Sequence, residues 1–113
     1  MTLLCRLDEI ADPGGKSLAL PGPDGRPRDV VVVRSGRAVW GYVNACPHAG
    51  TPLDFLPDRF LTADGTELLC GTHGARFTLE TGLCVAGPCV GRSLVPVKVR
   101  LEGELVVLVA PLS

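Results

Sequence analysis

The sequence predicts an all-β protein, on three observations. Apolar residues make up 46% of the chain and aromatic residues only 4%, and Val and Leu dominate the apolar set, which favours strands. The 14 glycines and 10 prolines suit short strands joined by many turns. No apolar pattern of helical period extends beyond about two turns, so the sequence gives no reason to expect a long helix.

The first part of the chain predicts two strands and a surface loop. Residues 3–7 predict a strand, which the breaker Pro13-Gly14-Gly15 separates from a second strand at residues 17–20. Residues 21–27 are dense in Pro and Gly. We interpret them as a surface loop, because the segment before them is too short to form a domain.

Three hairpins are expected in the rest of the chain. The paired runs are residues 29–34 with 37–44, residues 67–69 with 77–79, and residues 95–101 with 105–110. The first is the clearest, because four consecutive valines precede a Ser35-Gly36 turn. Trp40 and Tyr42 are expected to be packing residues in its second strand. The last hairpin is expected to add strands to the main sheet.

Both histidines of the chain lie a short distance after a cysteine, in two motifs that we call the first and second clips. The clips are Cys46-Pro47-His48 and Cys70-Gly71-Thr72-His73. Thiolate and imidazole ligands suit zinc, copper or an iron–sulfur centre. Gly50 and Gly74 follow the clips, which suits loop tips whose backbone amides approach a cluster. Each clip mixes one Cys with one His, which favours a cluster with one buried and one exposed iron, and a structural zinc site remains the alternative.

The paired clips resemble those of the Rieske iron–sulfur domains, which carry C-x-H, a spacer and C-x-x-H. The likeness covers roughly residues 40–100 and extends to the Thr81-Gly82 turn, to Gly87-Pro88 and to Pro96-Val97. It implies one 2Fe-2S cluster. By this resemblance, Cys46 and Cys70 would bind the inner iron, and His48 and His73 would bind the outer iron nearest solvent.

The resemblance also implies a fold and a domain plan. The expected fold is a small antiparallel Rieske-type sandwich or barrel of three sheets, with a cluster-binding subdomain of two loop-tipped hairpins at about residues 45–90. Residues 1–113 would form a single domain. The spacer between the clips is longer than in compact ferredoxin-like members, so residues 55–61 look like an insertion. Its apolar residues would form either an interface or a cover for the core: Leu53, Phe55, Leu56, Phe60 and Leu61.

Two departures from the respiratory-chain Rieske proteins place this chain in the low-potential, ferredoxin-like group. Thr51 and Thr72 stand where those relatives have a disulfide, so none can form here. Ala75 and Phe77 stand where they have a serine and a tyrosine hydroxyl that donate to cluster sulfurs. A third loop with Pro88 would cover the cluster in the family.

Charge and cysteine use exclude several other functions. Eleven basic and 12 acidic side chains give a net charge of −1, which predicts no nucleic-acid or membrane partner. Charged residues interrupt the first apolar run, so we expect no signal peptide or transmembrane helix there, and a soluble, cytoplasmic protein. The other cysteines are Cys5, Cys84 and Cys89. Although Cys84 and Cys89 could pair, we interpret all three as reduced small hydrophobes.

These features predict an electron-transfer protein, not an enzyme. Once both histidines are ligands, the polar residues Thr51, Asp54 and Asp58 have no histidine partner with which to form an active site. The cluster would accept one electron from a reductase and pass it to an oxygenase or related redox enzyme. The first alternative is a permanent accessory subunit of a redox enzyme such as nitrite reductase, and the second is a structural zinc-binding module.

Overall fold

The protein is all-β, as predicted, and its strands form three antiparallel sheets. The computed structural model describes residues 2–47, 53, 60–70 and 74–110. Its strands are β1 (Thr2–Arg6), β2 (Gly14–Pro21), β3 (Pro27–Ser35), β4 (Ala38–Val43), β5 (Glu67–Leu69), β6 (Arg76–Thr78), β7 (Cys84–Ala86), β8 (Pro96–Val97), β9 (Val99–Glu102) and β10 (Leu105–Leu108). A 3-10 turn at Leu7–Glu9 is the only helical element of these ranges. None of the described residues forms a helix long and apolar enough to cross a membrane.

The main sheet has the strand order β2-β3-β4-β8 and separates two parts of the core. Its strand β3 buries four consecutive valines, because both faces of the sheet are covered. Successive side chains of a strand point to opposite faces. Accordingly, Val31 and Val33 pack with Tyr42 in one buried cluster, while Val32 packs with Cys5 in the other.

The first two predicted hairpins and the surface loop are confirmed. β3 and β4 join through a two-residue turn in which Gly36 has a φ of 62°, a conformation that glycine adopts without strain. β2 and β3 stay paired as far as Pro21 and Pro27, so the tip between these prolines forms the loop. The second hairpin pairs β5 with β6, and β7 joins it to form a sheet of order β5-β6-β7, which we call the clip sheet.

Strand β2 is longer than the predicted residues 17–20. It begins at Gly14, inside the segment that was expected to break the chain. A Cβ atom on Gly15 would lie 2.9 Å from Cδ2 of Phe60. Glycine at this position therefore lets an aromatic ring pack closely on the strand and does not interrupt the pairing.

The predicted place of the terminal hairpin is wrong. β9 and β10 pair with each other and with β1 in a separate sheet of order β1-β10-β9, and only β8 joins the main sheet. The physical reason is the second face of the main sheet, where Val32 would otherwise be exposed. Val106 of β10 and Cys5 of β1 cover that face together with Ile10. We call this three-stranded sheet the terminal sheet.

Candidate metal centre

The second clip begins at the tip of the β5–β6 hairpin, as predicted. The backbone N–H of Cys70 donates to the carbonyl of Ala75 (2.8 Å), and the N–H of Gly74 donates to the carbonyl of Cys70 (2.9 Å). Gly74 has a φ of 71°, which closes this short loop without a steric penalty. The Cys70 side chain is fully buried. His73 lies outside the described residues, so its assignment as a ligand stays a prediction.

The first clip follows β4 and is held by a buried asparagine. The backbone N–H of Asn44 donates to the carbonyl of Asp29 (2.9 Å), and its Oδ1 accepts the N–H of Leu53 (2.8 Å). This side chain joins the strand before the clip to the chain after it. Cys46 is fully buried, and His48 lies outside the described residues. Asn44 was predicted only as the last residue of a hairpin strand, because an amide side chain does not indicate from the sequence which segment it will bind.

The third loop, residues 87–92, contacts both clips. A Cβ atom on Gly87 would lie 2.7 Å from Cα of Ala75, so the loop backbone passes directly against the chain that leaves the second clip. Arg92 Nη1 donates to the carbonyl of Pro47 in the first clip (3.2 Å). Pro88, the residue predicted to lie over a cluster, is exposed at the surface of this loop. Its cover of the cluster stays a prediction.

Four of the five cysteines meet in one buried cluster: Cys46, Cys70, Cys84 and Cys89. All are free thiols, which agrees with the interpretation of Cys84 and Cys89 as reduced, packed residues. The Cys89 thiol donates to Sγ of Cys84 (3.0 Å), and the Cys84 thiol contacts the carbonyl of Ala86 as a donor (3.2 Å). Burial, followed by the hydrogen bond and charge of Cys84 and then by Cys46, raises the pKa of Cys89 to about 12.

The described part of the spacer between the clips covers the core. Leu53 and Phe60 are fully buried, and Leu61 packs against the same cluster. The carbonyl of Phe60 accepts the N–H of Leu69, the last residue of β5, at 2.8 Å. Of the two functions considered for the insertion, these residues serve as a cover. Phe55 and Leu56 lie outside the described residues.

No hydroxyl side chain occupies the two buried positions that follow the second clip. Ala75 and Phe77 are fully buried and have no donor to offer. Arg76, between them, points outward, and its Nη1 lies 3.4 Å from Oε1 of Glu67 in a half-exposed ion pair. Arg76 is therefore a solvated charge.

A buried tyrosine ties the main sheet to the clip sheet. The Tyr42 hydroxyl donates to the carbonyl of Leu79 (2.5 Å), and its ring lies so close to Gly82 that a Cβ there would be 2.7 Å from Cε1. Burial, with a smaller contribution from Glu80, raises the pKa of Tyr42 to about 12. The sequence predicted a packing residue and missed this hydrogen bond.

The described residues fit the inner half of an iron–sulfur site. One buried thiol from each clip belongs to the same core cluster, and thiolates are the ligands of the iron that lies away from solvent. Within the described ranges, no three Cys, His, Asp or Glu side chains are placed to hold a metal ion. His48 and His73 lie outside those ranges.

The fold is all-β and brings one buried cysteine of each clip into the same core cluster. The chain belongs to the Rieske [2Fe-2S] domain family, whose sequence model matches residues 4–109. Its cofactor is thus a 2Fe-2S cluster, and its role is one-electron transfer, not catalysis. The family match does not favour the zinc-binding module. Comparison with curated proteins gives no match.

Solved structures similar to this chain include two ferredoxins. The ferredoxin of carbazole 1,9a-dioxygenase from Nocardioides aromaticivorans IC177 is 27% identical, with a TM-score of 0.75 over 97% of this chain and 96% of that one. The ferredoxin of Sphingomonas yanoikuyae B1 is 25% identical, with a TM-score of 0.71 over 96% and 97%. A structure described as a nitrite reductase NADPH small subunit is 17% identical, with a TM-score of 0.72 over 96% and 97%, and shows likeness of fold alone.

Proposed function

We propose that the protein is a ferredoxin-like carrier whose cluster is held by Cys46, His48, Cys70 and His73, and that it takes one electron from a reductase and passes it to an oxygenase or related redox enzyme. The observation that carries the proposal is the pair of buried clip thiols in a chain of the Rieske family. When bound, the cluster supplies a reversible one-electron change at iron. The likeness to ferredoxins, one of them from a dioxygenase system, supports an oxygenase as the acceptor.

The chain's own residues would hold the cluster and limit its contact with water. The Cys70 thiol is fixed by the closed turn with Ala75, and the Cys46 thiol follows the strand that Asn44 anchors. Both sulfurs are removed from solvent, which suits ligands that must remain bound in both oxidation states. The histidines would face outward, where an added negative charge meets water or a partner protein.

A permanent place in an enzyme complex is the less favoured alternative. The two ferredoxins named above are 27% and 25% identical to this chain, whereas the likeness to a nitrite reductase small subunit is one of fold. We further propose that residues 1–113 form a single domain with a cluster-binding part at about 45–90. Five free cysteines support a reducing compartment, the cytoplasm.

Metal analysis combined with spectroscopy tests the proposal directly. Iron and acid-labile sulfide should each be present at two per chain, because the family's cluster contains two of each. Electron paramagnetic resonance should show a signal that appears on reduction with dithionite and disappears on reoxidation. One zinc ion per chain without sulfide would contradict the proposal.

A further inference from the structure

Two cysteines that the ligand assignment does not use lie in a line of sulfur atoms that leads to a proposed ligand. The Cys89 thiol donates to Sγ of Cys84 at 3.0 Å, and Cys46 lies in the same buried cluster, near enough to help raise the pKa of Cys89. The line ends at the carbonyl of Ala86, 3.2 Å from Sγ of Cys84. The three sulfurs are 1–3% exposed, so water does not compete for their hydrogen bonds.

The backbone of the third loop holds the two extra sulfurs in place. The N–H of Cys84 donates to the carbonyl of Arg92 (2.8 Å), and the N–H of Arg92 donates to the carbonyl of Cys89 (2.9 Å). Both cysteines thus belong to one closed loop. The Arg92 side chain in turn donates to the carbonyl of Pro47, next to Cys46, which fixes the loop against the first clip.

We propose that the Cys89 thiol donates a hydrogen bond to Sγ of Cys46 in the cluster-bound protein and thereby raises the reduction potential, with Cys84 as a positioning residue. This inference rests on the proposed role of Cys46 as a ligand. A thiol carries one proton and can turn it toward either neighbouring sulfur. An iron-bound thiolate bears more negative charge than a neutral thiol, so Cys46 becomes the better acceptor.

The direction of the effect follows from the charge of the cluster. Reduction adds one negative charge, and hydrogen bonds to the sulfurs stabilise the reduced form more than the oxidised form. A buried, protonated thiol is a weak donor, but low local polarity strengthens its hydrogen bond. The proposed hydrogen bond from Cys89 to Cys46, which we call the relay, would partly replace the two hydroxyl donors that are missing at Ala75 and Phe77.

Protein-film voltammetry of the holoprotein tests the relay through variants of Cys89. Cys89→Ala and Cys89→Val remove the donor and should each lower the equilibrium constant for reduction by up to about tenfold, which is about 59 mV for a one-electron couple. Cys89→Ser keeps a donor and should restore the wild-type midpoint or exceed it. Cys84→Ala should shift the midpoint by less than Cys89→Ala does, because the Cys89 donor is kept. Cys5→Ala, in the other core cluster, should leave it unchanged.

Iron and sulfide analysis of each variant separates the relay from the ligand assignment. A full complement of both with an unchanged midpoint in Cys89→Ala and Cys89→Val would overturn the relay and leave the proposed function intact. Equal shifts in the Ala, Val and Ser variants would overturn it too, because altered packing would then be the cause. Loss of iron from Cys89→Ala would show that Cys89 is itself a ligand, and both proposals would be wrong.

Discussion

The main sheet and the clip sheet are stabilised in different ways. β3 pairs with β2 from Arg34 to Pro27 and also with β4 along most of its length, so backbone hydrogen bonds and buried valines support it on both sides. The strands of the clip sheet have three residues each. Strands this short do not form a stable sheet alone. The main sheet is therefore stabilised by its own strand pairing, whereas the clip sheet relies on side chains from elsewhere, such as Tyr42 and Phe60.

The sharpest test of this difference removes a ligand. His48→Ala, His73→Ala or Cys46→Ala should reduce bound iron and sulfide to background, because no spare histidine exists and each thiol fills one position on the cluster. Far-ultraviolet circular dichroism should still show the β signal of the main sheet. Cys5→Ser serves as the matched control and should keep the cluster. Loss of the β signal together with the iron would contradict this difference, because the main sheet would then depend on the cluster.

The next largest effect, on stability, is expected where the spacer between the clips packs on the main sheet. Phe60 is buried against Gly15 of β2, and Phe60→Ala should lower the free energy of unfolding by about 3–5 kcal/mol through lost burial and a cavity. Urea denaturation measures the change. Val90→Ala, at an exposed position of the third loop, should change it by less than about 0.5 kcal/mol. Similar values for both variants would show that the spacer does not join the two regions.

The hydrogen bond between the sheets predicts a smaller effect with a distinct pH dependence. Tyr42→Phe leaves the Leu79 carbonyl without its donor and should cost about 1–2 kcal/mol at neutral pH. The raised pKa of Tyr42 means that the unfolded chain ionises first, above about pH 10. Its contribution is complete below that pH and falls as the pH rises toward 12.

Urea denaturation of wild type and Tyr42→Phe from pH 8 to 12 measures this dependence. The stability difference between the two proteins should shrink across the alkaline part of that range, by about 2 kcal/mol at most. A difference that stays constant would mean that the hydroxyl ionises equally in the folded and unfolded chains.

The midpoint potential of the cluster tests the surroundings of the clips independently of stability. The midpoint at neutral pH should be negative, in the lower part of the Rieske range of about −150 to +300 mV, because Ala75 and Phe77 offer no donor. Ala75→Ser combined with Phe77→Tyr should raise it, as measured by voltammetry. Leu79→Met changes no donor and serves as the control. A wild-type midpoint near +300 mV would show that backbone amides dominate.

The smallest effect is expected at the surface of the clip sheet. Arg76 and Glu67 form an ion pair at 3.4 Å whose arginine is half exposed, and such pairs contribute at most about 1 kcal/mol. Arg76→Gln should therefore change the free energy of unfolding by less than that. The change should shrink further in high salt. A larger loss would mean that this ion pair contributes more than exposed pairs usually do.

Patterns of neighbouring residues predicted the elements that form between neighbouring segments of the chain. The valine run and the glycine turn at Gly36 define the first hairpin without reference to the rest of the chain. The partner of the terminal hairpin was predicted wrongly because it depends on which face of a distant sheet needs cover. Val32 and Cys5 meet only in the folded molecule, and no spacing in the sequence records that contact.

The candidate site, too, was predictable from the sequence only in part. The cysteines of the clips are recognisable because each lies within a few residues of a histidine, and the resemblance to a family assigns their roles. The hydrogen bond of Arg92 to Pro47 and the contact of Gly87 with Ala75 join segments that no local pattern connects. A polar or small residue gives no sign of such a partner until the sheets are assembled.

The strand β1 cannot pair until β10 has been made. Thr2 lies opposite Leu108, so the terminal sheet forms only by closing a loop that contains nearly all the described chain, a slow step in folding. Until then the growing polypeptide displays β1 without a partner and Val32 without its cover, an apolar surface of the kind that chaperones bind. A product cut short before Leu105 would keep that surface, and the cell's proteases could distinguish it from the finished protein by this alone.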